Sequence, residues 1–462
     1  MNKAIGFRSF SLLLGASASL VVPTGAWAQD VHVIRGATVL TDTMGEPIDN
    51  GVIVVEGSEI RSVGAIDTVV VPDDALVIDA AGKYIIPGLA DMHVHLEYFD
   101  DPGYLLLFLA NGVTTVRNMD GRPYILDWKR RIEASDLLGP TIYTAGPLLD
   151  GDPPLLPDNT VVEDATAGRE IVRAQAAAGY DFIKVYSNLA PEPYRAILSE
   201  ADQQGLTVAG HVPRGLQVTD VFDSGQIAIE HLADYSDVIE SADSPYIDGW
   251  HWSKQFVGVP IDREKVASIA TQQSSSGVWA VPTMVQADRQ LARQSTVQGW
   301  LQADEMQYIE SDARDFWLES IERDTQRMDD DDWELVDRGR RNRIELTRAL
   351  HDAGVPLLIG TDTPNPFVVP GFSLHEELRN FVASGFTPSE ALAAATSGAA
   401  GFFGDLGEWG TIEPGTRADL VVLDASPLED IENARRIAAV MVRGVYLTRQ
   451  ELDSLLGEFQ SE

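Results

Sequence analysis

The sequence predicts an α/β protein, a (β/α)8 barrel with β-rich segments on both sides of it. Two observations carry that prediction. Eight short apolar runs alternate with helix-like stretches through the middle of the chain, the pattern of βα units around a parallel sheet. Residues able to bind a metal fall at the ends of those runs, and a barrel of this kind gathers the C-terminal ends of its strands on one face. A length of 462 residues suits such a barrel, about 250 residues or more, with a smaller companion.

The elements follow in order. "MNKAIGFRSF" is a short basic start carrying Lys3 and Arg8, "SLLLGASASLVV" is apolar, and "PTGAWA" ends in the small-x-small pair Ala26 and Ala28. This pattern predicts a cleaved secretory signal over 1–28, and so a periplasmic or secreted protein. The apolar run is too short to span a bilayer comfortably, and no later segment reads as membrane-spanning, so no membrane insertion is expected after cleavage. Residues 29–86 read as short β segments ("VHVIRGATVL", "GVIVVEGSEIRSVG", "ALVIDAAG") punctuated by Gly and Asp. The barrel is expected over 87–403. Its strand runs are "YIIPGLADMHVH", "GVTTVRNM", "TIYTAGPLL", "DFIKVYS", "LTVAGHV", "QIAIEHL", "GVWAVPTMV" and "VPLLIGTD". Helix-prone stretches such as "ATAGREIVRAQAAAGY" and "PEPYRAILSEADQQG" separate them, and 286–350 reads as an enlarged helical excursion after the seventh strand. "TPSEALAAATSGAAGFFG" predicts a late helix with Thr387 as cap, Pro388 in the first turn and Glu390 closing a capping box. The β texture returns over 404–450, and 451–462 reads as an acidic C-terminal tail.

Composition narrows the function. The chain has 34 basic against 71 acidic residues, which argues against nucleic acid and anionic membranes as partners. The acids are widely spread, as on a heavily hydrated surface, with one local run in "MDDDDWE" (328–334). There is no cysteine, which excludes disulfides, thiolate sites and a lipidated-cysteine anchor.

The strand ends hold the chemistry. His93 and His95 close the first run; residues i and i+2 of a strand share a face, so both rings can point into the barrel mouth. Lys184 lies in the fourth run, His211 ends the fifth, His231 the sixth and Asp362 the eighth. Each alone has an ordinary structural reading, as a packed histidine, a turn or a cap. Together, four imidazoles and a carboxylate are the ligands expected for zinc or a similar divalent ion. A lone buried lysine is costly as an ammonium. Deprotonated, its amine can capture carbon dioxide as a carbamate, an anionic ligand with two oxygens. Arg117, ending the second strand, could grip a substrate carboxylate or form a structural salt bridge. Tyr186 shares a face with Lys184 and could reach substrate or pack as an aromatic at the mouth. His375 begins the "SLHEEL" segment and could approach the pocket. His32, His251 and His351 take structural readings first.

The motifs "PGLADMHVHL", "DFIKVY", "GHV", "IEHL" and "GTDT", with the late "SLHEELRNFVASGFTPSEALAAAT" and "GTIEPGTRADLVVLDASPLEDI", resemble the amidohydrolase superfamily. The likeness is to its imidazolonepropionase-like and Xaa-Pro dipeptidase-like branch, and it covers nearly the whole chain after the signal. The resemblance implies a barrel with a small β-sandwich built from both termini. It implies two divalent ions, Zn2+ by preference, with His93, His95 and Asp362 on one, His211 and His231 on the other, and carboxylated Lys184 bridging them. It further implies a hydrolase that cleaves amide C–N bonds of a dipeptide or N-acyl amino acid through a metal-bridging hydroxide, with Asp362 moving the proton. Lactone or phosphotriester hydrolysis at the same centre is the alternative chemistry, and a non-catalytic metal-binding relative the alternative class. The expected partner is a small peptide-like molecule; a homo-oligomer is compatible with the sequence.

Overall fold

A computed structural model describes residues 31–461; the signal expected over 1–28 lies outside them. The strands, in chain order, are β1 (Val31–Val39), β2 (Ile48–Glu56), β3 (Glu59–Ala65), β4 (Leu76–Asp79), β5 (Tyr84–Pro87), β6 (Leu89–Val94), β7 (Val113–Asn118), β8 (Thr141–Thr144), β9 (Leu149–Asp150), β10 (Thr160–Val161), β11 (Phe182–Val185), β12 (Thr207–Gly210), β13 (Ala228–Glu230), β14 (Trp279–Val281), β15 (Leu420–Leu423), β16 (Ile437–Val442) and β17 (Val445–Thr448).

Eight strands from the two chain ends form one sheet, ordered β17-β16-β15-β5-β1-β2-β3 with β4 beside β1. This is the small β domain. Ile53 and Val55 of β2 share a core with Ile85 of β5, Leu420 and Val422 of β15 and Met441 of β16. The β3 edge also meets the segment leading into β15, where Ile60 N–H donates to Thr416 O and Ala418 N–H to Ser58 O.

The barrel begins one residue after that sheet. The first predicted run divides at Gly88: β5 belongs to the terminal sheet and β6 to the barrel. A Cβ on Gly88 would lie 2.1 Å from Thr114 Oγ1, so the crossover admits no side chain. β6, β7 and β8 are parallel neighbours, as are β11, β12, β13 and β14. Isolated parallel bridges join the two groups: Ala145 pairs with Phe182, Ala280 with Leu357, and Val94 with Thr363. The eighth strand is therefore the segment around 357–363, held by single bridges and by Met92 N–H to Ile359 O, Asp362 N–H to His93 O and His95 N–H to Thr363 O. With it the ring of eight parallel strands closes. β6, β7, β11 and β13 are buried at every position, as strands enclosed by helices must be. β9 and β10 are a short parallel addition beside β11.

The helices correspond to their sequence signals. Thr387 caps the helix Pro388–Ala394 with Glu390 closing the box, although the predicted late helix breaks and resumes as Ser397–Phe403. The excursion contains Met284–Gln290, Gln294–Leu301, Ser311–Thr325 and Asp330–Asp352. The acidic run has a local role: Asp329 caps Asp330–Asp352 and three aspartates fill its first turn, where the helix dipole favours negative charge. The C-terminal residues expected as a tail are instead helical, Arg449–Ser461, with Leu452 and Leu456 buried. Among the described residues no helix is long and apolar enough to cross a membrane.

Candidate metal centre

The barrel delivers the strand-end residues to one place. His93 Nε2 and His95 Nε2 lie 3.3 and 3.1 Å from Asp362 Oδ1, and His231 Nε2 lies 3.8 Å from Asp362 Oδ2. His93, His95 and Asp362 each present a ligand atom within 4.8 Å of the others. The His231 ring is 4.8 Å from that of His93 and 4.9 Å from that of His211. His231 and Asp362 hold positive φ angles of 65° and 62°, uncommon for side chains of this size and found where surrounding structure enforces them.

Each histidine is oriented through its second ring nitrogen. His93 Nδ1 pairs with Glu230 Oε2 at 2.8 Å and His95 Nδ1 with Glu97 Oε1 at 2.6 Å. His211 Nδ1 meets Ser187 Oγ at 2.8 Å and His231 Nδ1 meets Thr283 Oγ1 at 2.6 Å. All four rings thereby turn Nε2 toward the centre, as metal-binding histidines do. The Nε2 atoms of His93 and His211 and the Nζ of Lys184 are buried without a hydrogen-bond partner. Such orphaned groups are rare in a native fold, and a cation would satisfy the imidazoles.

Protonation agrees. Burial, reinforced by Lys184, pushes His93 and His211 well below the usual imidazole range. Burial brings His231 down to about 4, against the pull of Asp362. Burial also lowers Lys184 to about 8, with Glu230 and Asp362 opposing. The amine is thus available in its neutral form near neutral pH, the form a carbamate requires. Burial resists ionisation of Asp362, but a hydrogen bond from His95 and the charges of His231, His95 and Lys184 hold it below the usual carboxylate range. His95 goes the other way: burial opposes its charge, yet Glu97 and Asp362 raise it to about 10. A cation bound between those carboxylates would compete with that proton. The donor set fits a divalent metal centre.

The sequence profile of the amidohydrolase family matches residues 84–447. The chain belongs to the amidohydrolase family. The resemblance read from the motifs is borne out, and with it the barrel fold.

A solved structure assigned as a prolidase from Bifidobacterium longum is 25% identical to this amidohydrolase, covering 93% of it and 99% of the other chain, with a TM-score of 0.68. The bottromycin amidohydrolase structure is 24% identical over 93% and 90% of the two chains, with a TM-score of 0.74. Ochratoxinase of Aspergillus niger is 22% identical over 89% of this chain and 85% of its own. Other likenesses are local. An adenine deaminase of Staphylothermus marinus and a dihydroorotase of Pelotomaculum thermopropionicum are matched over only 16% and 15% of their lengths.

Arg117 and His375, each read as able to meet substrate, are both engaged by protein groups. Arg117 is fully buried inside the barrel. Its Nη2 donates to Glu230 Oε1 and its Nε to Met92 O, each at 2.6 Å, so the salt-bridge reading is the one its geometry supports. His375 Nε2–H donates to the carbonyl of Asn111 at 3.1 Å, two residues ahead of β7 where the barrel strands begin. Tyr186 does stand at the centre, its ring 4.1 Å from that of His211. His251 stacks on Tyr246 and His351 on Phe386. Sequence reasoning missed Glu230, Glu97, Ser187 and Thr283. Two of them had a local signal: Glu230 adjoins His231, and Glu97 lies two residues past His95.

Proposed function

We propose that the protein is a two-metal hydrolase of amide C–N bonds that takes a dipeptide or N-acyl amino acid. The observation that carries the reading is Lys184, buried, without a hydrogen-bond partner and easily deprotonated, facing the same centre as His93, His211, His231 and Asp362. A neutral buried amine is the form that takes up carbon dioxide, and the resulting carbamate would offer two oxygens, one for each of two ions. The family supports amide chemistry, and the names of its neighbours, prolidase and amidohydrolase, are of that kind.

In this reading His93, His95 and Asp362 would hold one ion, His211 and His231 the other, and carboxylated Lys184 could serve both. Two such ions, zinc by preference, would lower the pKa of a shared water and polarise the scissile carbonyl. Asp362 accepts the attacking water's proton at a carboxylate oxygen and returns it to the leaving nitrogen as the C–N bond breaks. Tyr186, whose phenol burial keeps protonated, donates a hydrogen bond to a substrate oxygen. The pattern over 1–28 supports export to the periplasm or beyond.

Elemental analysis of the purified chain, supplied with zinc and bicarbonate, should find two ions. A panel of dipeptides and N-acyl amino acids should be hydrolysed, and lactones and phosphotriesters should not. A fully metallated protein inert on the amide panel would overturn the reading.

A further inference from the structure

The Glu230 carboxylate is shared inside the barrel. Oε1 takes Arg117 Nη2 at 2.6 Å and Oε2 takes His93 Nδ1 at 2.8 Å, and all three side chains are fully buried. They come from β7, β13 and β6, so the chain Arg117–Glu230–His93 crosses the interior beneath the metal centre. Arg117 is fixed in turn by the Met92 carbonyl and lies under the rings of Phe402 and Phe182.

We infer that Glu230, clamped by Arg117, is the positioning residue that readies His93 for metal, and that the tighter of the two ions depends on it. The inference rests on the two-metal reading above. An ionised carboxylate only accepts hydrogen bonds, so the proton of neutral His93 must sit on Nδ1 and the lone pair on Nε2, the buried atom facing Asp362. Arg117 cannot lose its proton in ordinary conditions, and its guanidinium, which only donates, holds Glu230 Oε1 and leaves Oε2 to accept from His93. His95 has the same kind of support from Glu97, whereas His211 and His231 have only the hydroxyls of Ser187 and Thr283. A carboxylate behind an imidazole makes it a stronger donor than a hydroxyl does. The ion on His93, His95 and Asp362 is therefore the one held more firmly.

The test is zinc affinity of the full chain, stripped with chelator, resupplied with bicarbonate and titrated against a chromophoric chelator, with folding followed by circular dichroism. Glu230→Gln should weaken the tighter zinc by about 10–100-fold, the range for loss of an outer partner of a metal-bound histidine. Because this variant strands Arg117 as a buried unpaired charge, Arg117→Met with Glu230→Gln is measured beside it. The double variant removes both charges, should restore the folded signal, and should still bind zinc weakly. Unchanged affinity in Glu230→Gln, or parental affinity regained in the double variant, would reduce Glu230 to a counter-ion for Arg117 and overturn the inference. A parent chain that binds no zinc would instead bring down the metal reading itself, and this inference with it.

Discussion

Asp91 accepts two hydrogen bonds from Thr361, one from its amide at 3.0 Å and one from its hydroxyl at 2.6 Å. Both residues are fully buried. The pair ties the strand that carries His93 to the segment that carries Asp362, across the seam where the barrel closes by single bridges. Thr361→Val keeps the size of the side chain and removes the hydroxyl. It should cost about 1–3 kcal/mol, the penalty for leaving a buried acceptor unpaired, while Thr361→Ser should recover most of that. Urea unfolding midpoints of the three proteins check this; equal midpoints for valine and threonine would remove the bolt.

Lys184 makes a second prediction, which follows from the bridge proposed for it. Lys184→Met preserves length and replaces a buried amine that has no hydrogen-bond partner with an apolar group, a change that removes a desolvation cost. Thermal stability should hold or rise. Bound metal should fall from two ions to one, and amide hydrolysis should disappear. A variant that retains two ions by elemental analysis would show that the lysine is no bridge.

Glu377 gives a pH dependence away from the metals. Burial raises its carboxyl to about 8, against hydrogen bonds from the amides of Met284 and Val285. The unfolded carboxyl titrates near 4.5, so between pH 4.5 and 8 the folded chain binds a proton that the unfolded chain releases. Stability from this group is full below pH 4.5, falls as pH rises, and is gone above about 8. In Glu377→Gln that slope vanishes. The difference in melting temperature between parent and variant should favour the parent most near pH 5 and shift steadily against it toward pH 8.5; a constant difference would refute the assignment.

Much of this was legible in the sequence because barrel strands buried on both faces are short apolar runs, and because strand ends converge on one face. His93, His95, Lys184, His211, His231 and Asp362 each occupied such an end. What converges from inside the barrel was not legible. Glu230 is one of 71 acids; its place beside His231 hints at the centre, but its partners lie 113 and 137 residues away, and nothing local names them. His375, read as able to approach the pocket, has its ring engaged by the carbonyl of Asn111 beside the start of β7, a contact across 264 residues that the "SLHEEL" segment does not announce.

The motif "VAGHV" carries one more expectation. Gly210 stands at the end of β12 with φ +145°, and a Cβ there would lie 2.1 Å from Val185 O and 2.9 Å from Val185 N. These are backbone atoms of β11, which cannot swing aside as a side chain tip would. Val185 follows Lys184 and pairs with Gly210, while Val185 O also accepts the amide of His211. Gly210→Ala must therefore pry β12 from β11 at the backbone pair beside Lys184 and His211. Overpacking of this kind costs about 1–3 kcal/mol, so the protein should still fold, with a lowered unfolding midpoint. The displacement reaches His211 directly, while His93, His95 and Asp362 stand at the end of β6 and on the closing strand, away from it. The ion on His211 and His231 should be lost or weakened, while that on His93, His95 and Asp362 stays, giving close to one zinc per folded chain. Two zincs bound as tightly as in the parent would mean that the barrel absorbs the methyl elsewhere, and that the close approach at Gly210 does not set the spacing between Lys184 and His211.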